Sequence, residues 1–277
     1  MKMNNETAII TGSTSGIGKK LAELFLKQGC KVAICSRKEE NVKKTLEEFK
    51  EQFGDSVIGD TCDVSDSESL KSFVKKVIDV FGSVRILVAN AGLNLTYGPF
   101  ECIPLEKVAS DAKTVIGTNL IGMIQSVSAV LPQMIKQGYG RIITLSGGGA
   151  DRPIENMTIY SASKGGVLAF SKCLVEELEQ RDDDIKLNIF QPGMLETNLS
   201  STSQCIAEWK DEETYKKELS LIHQFVAGDI EKSCSTVIPY VLPSCKDNGK
   251  LFRGFSIIKM IKGFKKYSKA LKQMEAN

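Results

Sequence analysis

Along most of this chain, short β-branched runs alternate with longer stretches of helical periodicity, and few architectures accept that rhythm. Residues 7–11 read as a strand, and 16–28 as a helix with Ile17, Leu21, Leu24 and Phe25 on one face. Residues 31–35 form a second strand, followed by a Lys/Glu-rich helix that ends at Phe53, and 56–61 form a third strand. Ser65 with Glu68 three residues on has the form of a capping box, opening a helix whose Leu70, Phe73, Val74, Val77 and Phe81 keep helical spacing. Residues 85–89, 141–145 and 186–190 are further strands, separated by helical stretches at about 108–137 and 159–180. Such alternation predicts a parallel sheet covered by helices on both faces. Right-handed crossovers then give a doubly wound α/β sheet with its ligand crevice at the carboxyl ends of the strands. Gly12, Asn90, Ser146 and Gly193 all fall at such ends, so they are expected along one edge.

Composition narrows the chemistry. The 277 residues, 42% hydrophobic and 25% charged, are globular in character and can bury a core without disulfides or metal. No linker or repeat interrupts the pattern before about residue 194. The eight cysteines are scattered with no C-x-x-C pair, several inside apolar runs such as KVAIC and AFSKCLV. There a reduced thiol acts as a small hydrophobe, which predicts a reducing, cytoplasmic setting and no structural zinc. The apolar run near the N-terminus is too short for a signal peptide, and no other stretch approaches a membrane span. A net charge of +2 makes no case for nucleic acid. The charge is uneven, however: residues 250–277 carry +7, leaving −5 elsewhere. The one histidine, His223, lies in a polar, late segment and is expected at the surface, which sets aside Ser-His and Cys-His chemistry.

Between the first strand and first helix stands TGSTSGIG, residues 11–18. Its loop and helix start, Gly12, Ser13, Thr14, Ser15, Gly16, Ile17 and Gly18, suit a pyrophosphate: glycines let backbone approach closely, and a helix N-terminus favours negative charge. The second strand ends in Ser36, Arg37 and Lys38, 25 positions after Gly12 for Arg37. A free ribose 2′-OH calls for an acid there, and a 2′-phosphate for Arg and a hydroxyl. This predicts NADP(H) rather than NAD(H). Asp63 and Val64 end the third strand and offer a carboxylate to an adenine amine. Asn90, Ala91 and Gly92 end the fourth, small enough for a cofactor to lie close. Pro192 and Gly193 end the sixth, with Thr197 placed to hold a carboxamide.

Tyr160 and Lys164 open a long helix four residues apart, and so share a face. A tyrosine has a pKa of about 10 when free, and a neighbouring cation favours the phenolate. Such a phenol can give a proton to a carbonyl or take one from an alcohol. Ser146 lies 14 residues before Tyr160 in TLSGGGA, where its hydroxyl can bond a developing alkoxide. Asn119, in GTNLIG, interrupts a helix with an amide that can bridge the lysine to solvent through water.

TGxxxGxG, D-V, N-A-G, Asn, Ser, Y-x-x-x-K and P-G-x-x-x-T in this order resemble the short-chain dehydrogenase/reductase family over roughly residues 5–200. The resemblance implies a single Rossmann-like domain of about seven strands and a tetrad of Asn119, Ser146, Tyr160 and Lys164. It also implies hydride exchange between nicotinamide and a small-molecule carbonyl or alcohol, in a homodimer or homotetramer. In it the lysine binds the ribose hydroxyls and the asparagine anchors a relay water. Ala89 and Gly147 depart from residues common in the family, without removing a catalytic group.

The dehydrogenase domain is expected over residues 1–254, with the segment 194–228 shaping the substrate pocket and Trp209, Tyr215, Leu219 and Ile222 as candidate walls. Residues 255–277 form a basic amphipathic extension, with Ile257, Ile261, Phe264, Leu271 and Met274 at helical spacing. It is expected to dock on the protein's own body or a neighbouring subunit, with a weak membrane-surface contact as the alternative. A non-catalytic nucleotide-binding sensor on the same fold is the alternative to an enzyme.

Overall fold

The computed structural model describes residues 3–4, 6–147, 150, 152–197 and 203–275. Its strands are β1 (Thr7–Thr11), β2 (Lys31–Ser36), β3 (Val57–Thr61), β4 (Ile86–Ala89), β5 (Thr96–Tyr97), β6 (Tyr139–Leu145), β7 (Asp184–Gln191), β8 (Gln204–Cys205) and β9 (Leu251–Arg253). Seven of them form one parallel sheet in the order β3-β2-β1-β4-β6-β7-β9. β5 and β8 make a separate parallel pair.

Successive strand residues point to opposite faces, and both faces are buried. Ile9, Leu87 and Ile142 meet one layer of helices: α3 (Ser67–Phe81), α5 (Gly122–Gln137) and α6 (Thr158–Glu179). Ile10, Val88 and Ile143 meet the other: α1 (Gly16–Lys27), α2 (Glu39–Phe53), α8 (Ile230–Ser235) and α9 (Ile238–Val241). This two-sided cover is why the strands read as nearly continuous apolar runs. Three further helices complete the chain: α4 (Leu105–Ile116), α7 (Glu212–Val226) and α10 (Ile257–Glu275). α10 lies against α7.

Several local expectations are corrected. α3 is capped by Asp66, which accepts from the N–H groups of Glu68 (2.9 Å) and Ser69 (3.4 Å). Ser65 donates its hydroxyl to Asp63 instead, since an aspartate one residue on competes better for the helix N–H groups. α4 and α5 run on through one π-turn, Gly117–Ile121, giving a helix Leu105–Gln137 with an apolar window of mean hydropathy 1.5. By length and composition it could cross a membrane, contrary to expectation; here Met123, Val127, Val130 and Met134 place it in the core. Cys173, within an apolar run, is exposed on the outer side of α6. His223 is half-buried on α7, its Nε2 without a hydrogen-bond partner among the described residues.

Candidate active site

β1, β4, β6 and β7 are consecutive neighbours in the sheet, so Gly12, Asn90, Ser146 and Gly193 do gather at one edge. Gly12 turns at φ +63°, and a Cβ there would lie 2.9 Å from Ala91 Cα; one on Gly18 would lie 2.4 Å from the Gly12 carbonyl. Only glycine lets loop and helix approach this closely. α1 has Ser15 at its N-cap, with no side-chain cap bond and no acid in its first turn, so its first N–H groups are free to serve as an anion site. Ser13 departs from the expected role: its hydroxyl donates to Ile10 O (2.6 Å) and accepts from Cys35 N–H, while its own N–H goes to Cys35 O. It is a buried tie between β1 and β2.

Asn90 is likewise a brace. Its Nδ2 donates to Thr11 O (2.8 Å) and Gly12 O (3.1 Å), and Thr11 Oγ1 accepts from the N–H groups of Asn90 and Ala91. Thr11 was no candidate, although it directly precedes Gly12. Asp63 accepts from Ser65 N–H and Oγ and keeps partial exposure. At the end of β2, Arg37 and Lys38 are exposed. The adjacent strand's Asp60 is tied to Lys76 at 2.6 Å, which holds its carboxyl below the usual range. Gly193 turns at φ +85° against the Phe255 ring, and Thr197 lies beside Gly16.

The reaction end forms where the start of α6 meets the end of β6 and the turn that follows β4. Ser146 Oγ is buried with no hydrogen-bond partner among the described residues. At Gly147 (φ +68°) an added Cβ would sit 3.0 Å from Tyr160 Oη and 3.7 Å from Lys164 Cε. Lys164 Nζ donates to Leu145 O at 3.0 Å. Asn119 sits in the π-turn, with Oδ1 accepting from Leu93 N–H (2.8 Å) and Nδ2 donating to Leu93 O (2.9 Å) and Ser163 Oγ (3.0 Å). Its amide is therefore largely spent on anchoring the chain after β4. Ser163, inside the YSASK motif but unassigned by it, links that amide to the Tyr160 carbonyl. All four tetrad residues thus converge around Gly92 and Gly147, since a Cβ on Gly92 would lie 3.2 Å from Asn119 Oδ1 and 3.5 Å from Lys164 Nζ.

The electrostatics differ from expectation. Burial pushes the Tyr160 phenol up from 10.0 to about 12 and lowers Lys164 from 10.5 to about 8. Desolvation outweighs the lysine's field because Nζ points to Leu145 O and stands 5.8 Å from the Tyr160 ring centroid.

Beyond Pro192, β8 pairs with β5. Buried Asn94 donates to Ser203 Oγ (3.0 Å), and Thr96 donates to the buried Asp111 carboxylate, which also pairs with Lys107. Tyr97 then stacks on Tyr215 (5.3 Å between centroids) and tilts against Trp209 (5.7 Å). Two of the four candidate walls are therefore joined by a residue outside the candidate segment.

The close-packed glycines, the uncapped α1 and Ser146, unpartnered among the described residues, fit a dinucleotide bearing a reactive ring. The fold and this site define a dinucleotide-binding oxidoreductase. The family model described as short chain dehydrogenase matches residues 6–205, and the chain belongs to that family. It is 29% identical over 258 residues to dehydrogenase/reductase SDR family member 4 of Sus scrofa, covering 92% of this chain and 86% of that protein. Among solved structures it is similar to a variant of actinorhodin polyketide ketoreductase with NADPH. That match has a TM-score of 0.77 and 29% identity, over 91% of this chain and 97% of the other. Levodione reductase shares the fold, with a TM-score of 0.81 at 22% identity over 96% and 99% of the two chains. The chain is thus a dehydrogenase/reductase acting on CH–OH or C=O groups of small molecules, with a nicotinamide dinucleotide as cofactor.

Proposed function

We propose that this protein reduces a ketone or aldehyde to an alcohol, or runs the reverse, with NADP(H) and with Tyr160 as proton donor and acceptor. The observation that carries the reading is the buried Ser146 hydroxyl, without a hydrogen-bond partner among the described residues, beside the turn where Tyr160 Oη and Lys164 converge. Bound NADPH supplies the hydride. Ser146 donates a hydrogen bond to the carbonyl oxygen and polarises it. Tyr160, whose raised pKa of about 12 keeps it protonated at neutral pH, delivers the proton to that oxygen. Lys164 holds the ribose hydroxyls. Asn119 keeps the π-turn in place, so that a relay water can stand between it and the lysine. A non-catalytic sensor would have no use for both hydroxyls at one spot.

Preference for the 2′-phosphate is supported by exposed Arg37 and Lys38 beside Ser36, with Asp60 engaged elsewhere. Free cysteines accord with a cytoplasmic location. A homodimer or homotetramer is supported by the exposed apolar Phe100, Leu105, Ile121 and Ile154. The basic α10 is read as a weak contact with a membrane surface.

The test is a panel of ketones, aldehydes and alcohols followed by NADPH and NADH absorbance, with wild type and Tyr160→Phe. The variant should lose at least about 100-fold in kcat and bind NADPH as before. A Tyr160→Phe enzyme with unchanged turnover would sink the proton role, and faster oxidation of NADH would sink the cofactor assignment.

A further inference from the structure

We infer that the outward edge of α10 is a docking surface for anionic lipid, with an apolar stripe entering the headgroup boundary and a row of lysines meeting lipid charge. This deepens the membrane contact read above and is independent of the reductase chemistry.

At about 3.6 residues per turn, Met260, Gly263, Tyr267, Leu271 and Met274 share one face of α10. That face is the covered one: these five, with Ala270 beside them, are the positions partly or fully shielded from solvent, and Gly263 lies so close to α7 that a Cβ would be 2.3 Å from Phe225 O. The helix is therefore seated in one rotation, and what it turns outward is determined. Ile257, Ile258, Ile261 and Phe264 remain exposed, from 41% for Phe264 to 68% for Ile258. They form a continuous stripe over two turns. Around the helix from that stripe follow Lys259, Lys262, Lys265, Lys266, Lys269 and Lys272, all exposed.

Two observations select the occupant. On several other surface helices lysines pair with acids three or four residues away, as in Lys43–Glu39, Lys71–Glu68, Lys75–Asp79, Lys216–Glu212 and Lys217–Glu213. None of the six lysines of α10 makes an ion pair among the described residues, so the helix presents unneutralised positive charge. A second copy of the same helix would meet that charge with its own. Lysine is also depleted in the cores of protein interfaces, whereas a Lys-rich polar face beside a bulky apolar edge is what an interfacial helix uses on an anionic bilayer.

Full-length protein should be sedimented with vesicles of phosphatidylcholine alone and with vesicles containing phosphatidylserine. The expected result is at least about tenfold stronger partitioning to the anionic vesicles, lost as salt shortens the screening length. Ile258→Ser/Ile261→Ser and, separately, Lys262→Gln/Lys265→Gln/Lys269→Gln should each lower that partitioning at least about tenfold. Turnover of a water-soluble substrate, read on the same samples, should stay at the wild-type level and reports separately on the reductase reading. Equal binding to both vesicle types, or variants that bind like wild type, would overturn the inference. So would an Ile258→Ser/Ile261→Ser protein whose sedimentation coefficient falls without any change in vesicle binding, since the stripe would then be a contact between copies.

Discussion

Lys164 is buried at the cost of its own charge. Its pKa falls from 10.5 to about 8 through desolvation. Below pH 8 folded and unfolded chains are both protonated here, and the burial penalty is fully present. Between about 8 and 10.5 the unfolded chain binds more protons, so this residue makes the protein more stable as pH rises through that window. Lys164→Met removes the penalty and should stabilise the fold at pH 7 by about 1–3 kcal/mol in urea melts, after allowance for the lost bond to Leu145 O. The same variant should be almost inactive. Activity has its own pH signature: with Tyr160 protonated up to about 12 and Lys164 charged only up to about 8, the kcat/KM for reduction should decline as pH rises through 8. A flat profile to pH 10 would show that the lysine's charge is not required.

At the scale of elements, the capping of α3 and the brace at Asn90 show what local pattern conveys. The helix itself was legible from Leu70, Phe73, Val74 and Val77, all buried, because their spacing has the helical period. Its first residue was not, because Ser65 and Asp66 are both good caps and only the Asp63–Ser65 bond decides between them. Asp66→Ala should cost about 1 kcal/mol of stability in thermal or urea unfolding, whereas Ser65→Ala should cost less. Similarly, the motif spacing located Ser13 and Asn90 correctly along the chain but not what their side chains do. Hydroxyl and amide directions depend on which strand lies alongside, and here they are spent on Cys35, Thr11 and Gly12.

At the scale of the whole molecule, the final helix is linked to the candidate pocket wall through α7. α10 rests on α7 through Gly263, and α7 stacks Tyr215 on Tyr97. Gly263→Val should lift α10 from its seat, seen as faster amide hydrogen exchange in residues 257–275 with the main unfolding transition little changed. A higher KM without loss of cofactor binding would follow from the loosened pocket wall. Periodicity and turn glycines determined the parallel sheet, the helices on both faces and the edge where Gly12, Ser146, Tyr160 and Lys164 meet. Those features follow from local backbone preference and from strands too apolar to leave either face in water. The tertiary structure alone decided the β5–β8 pairing, the joining of Tyr97 to Tyr215 and Trp209, and the rise of the Tyr160 pKa. Each depends on contacts between distant residues or on the loss of solvent around a charge, and neither leaves a period in the sequence.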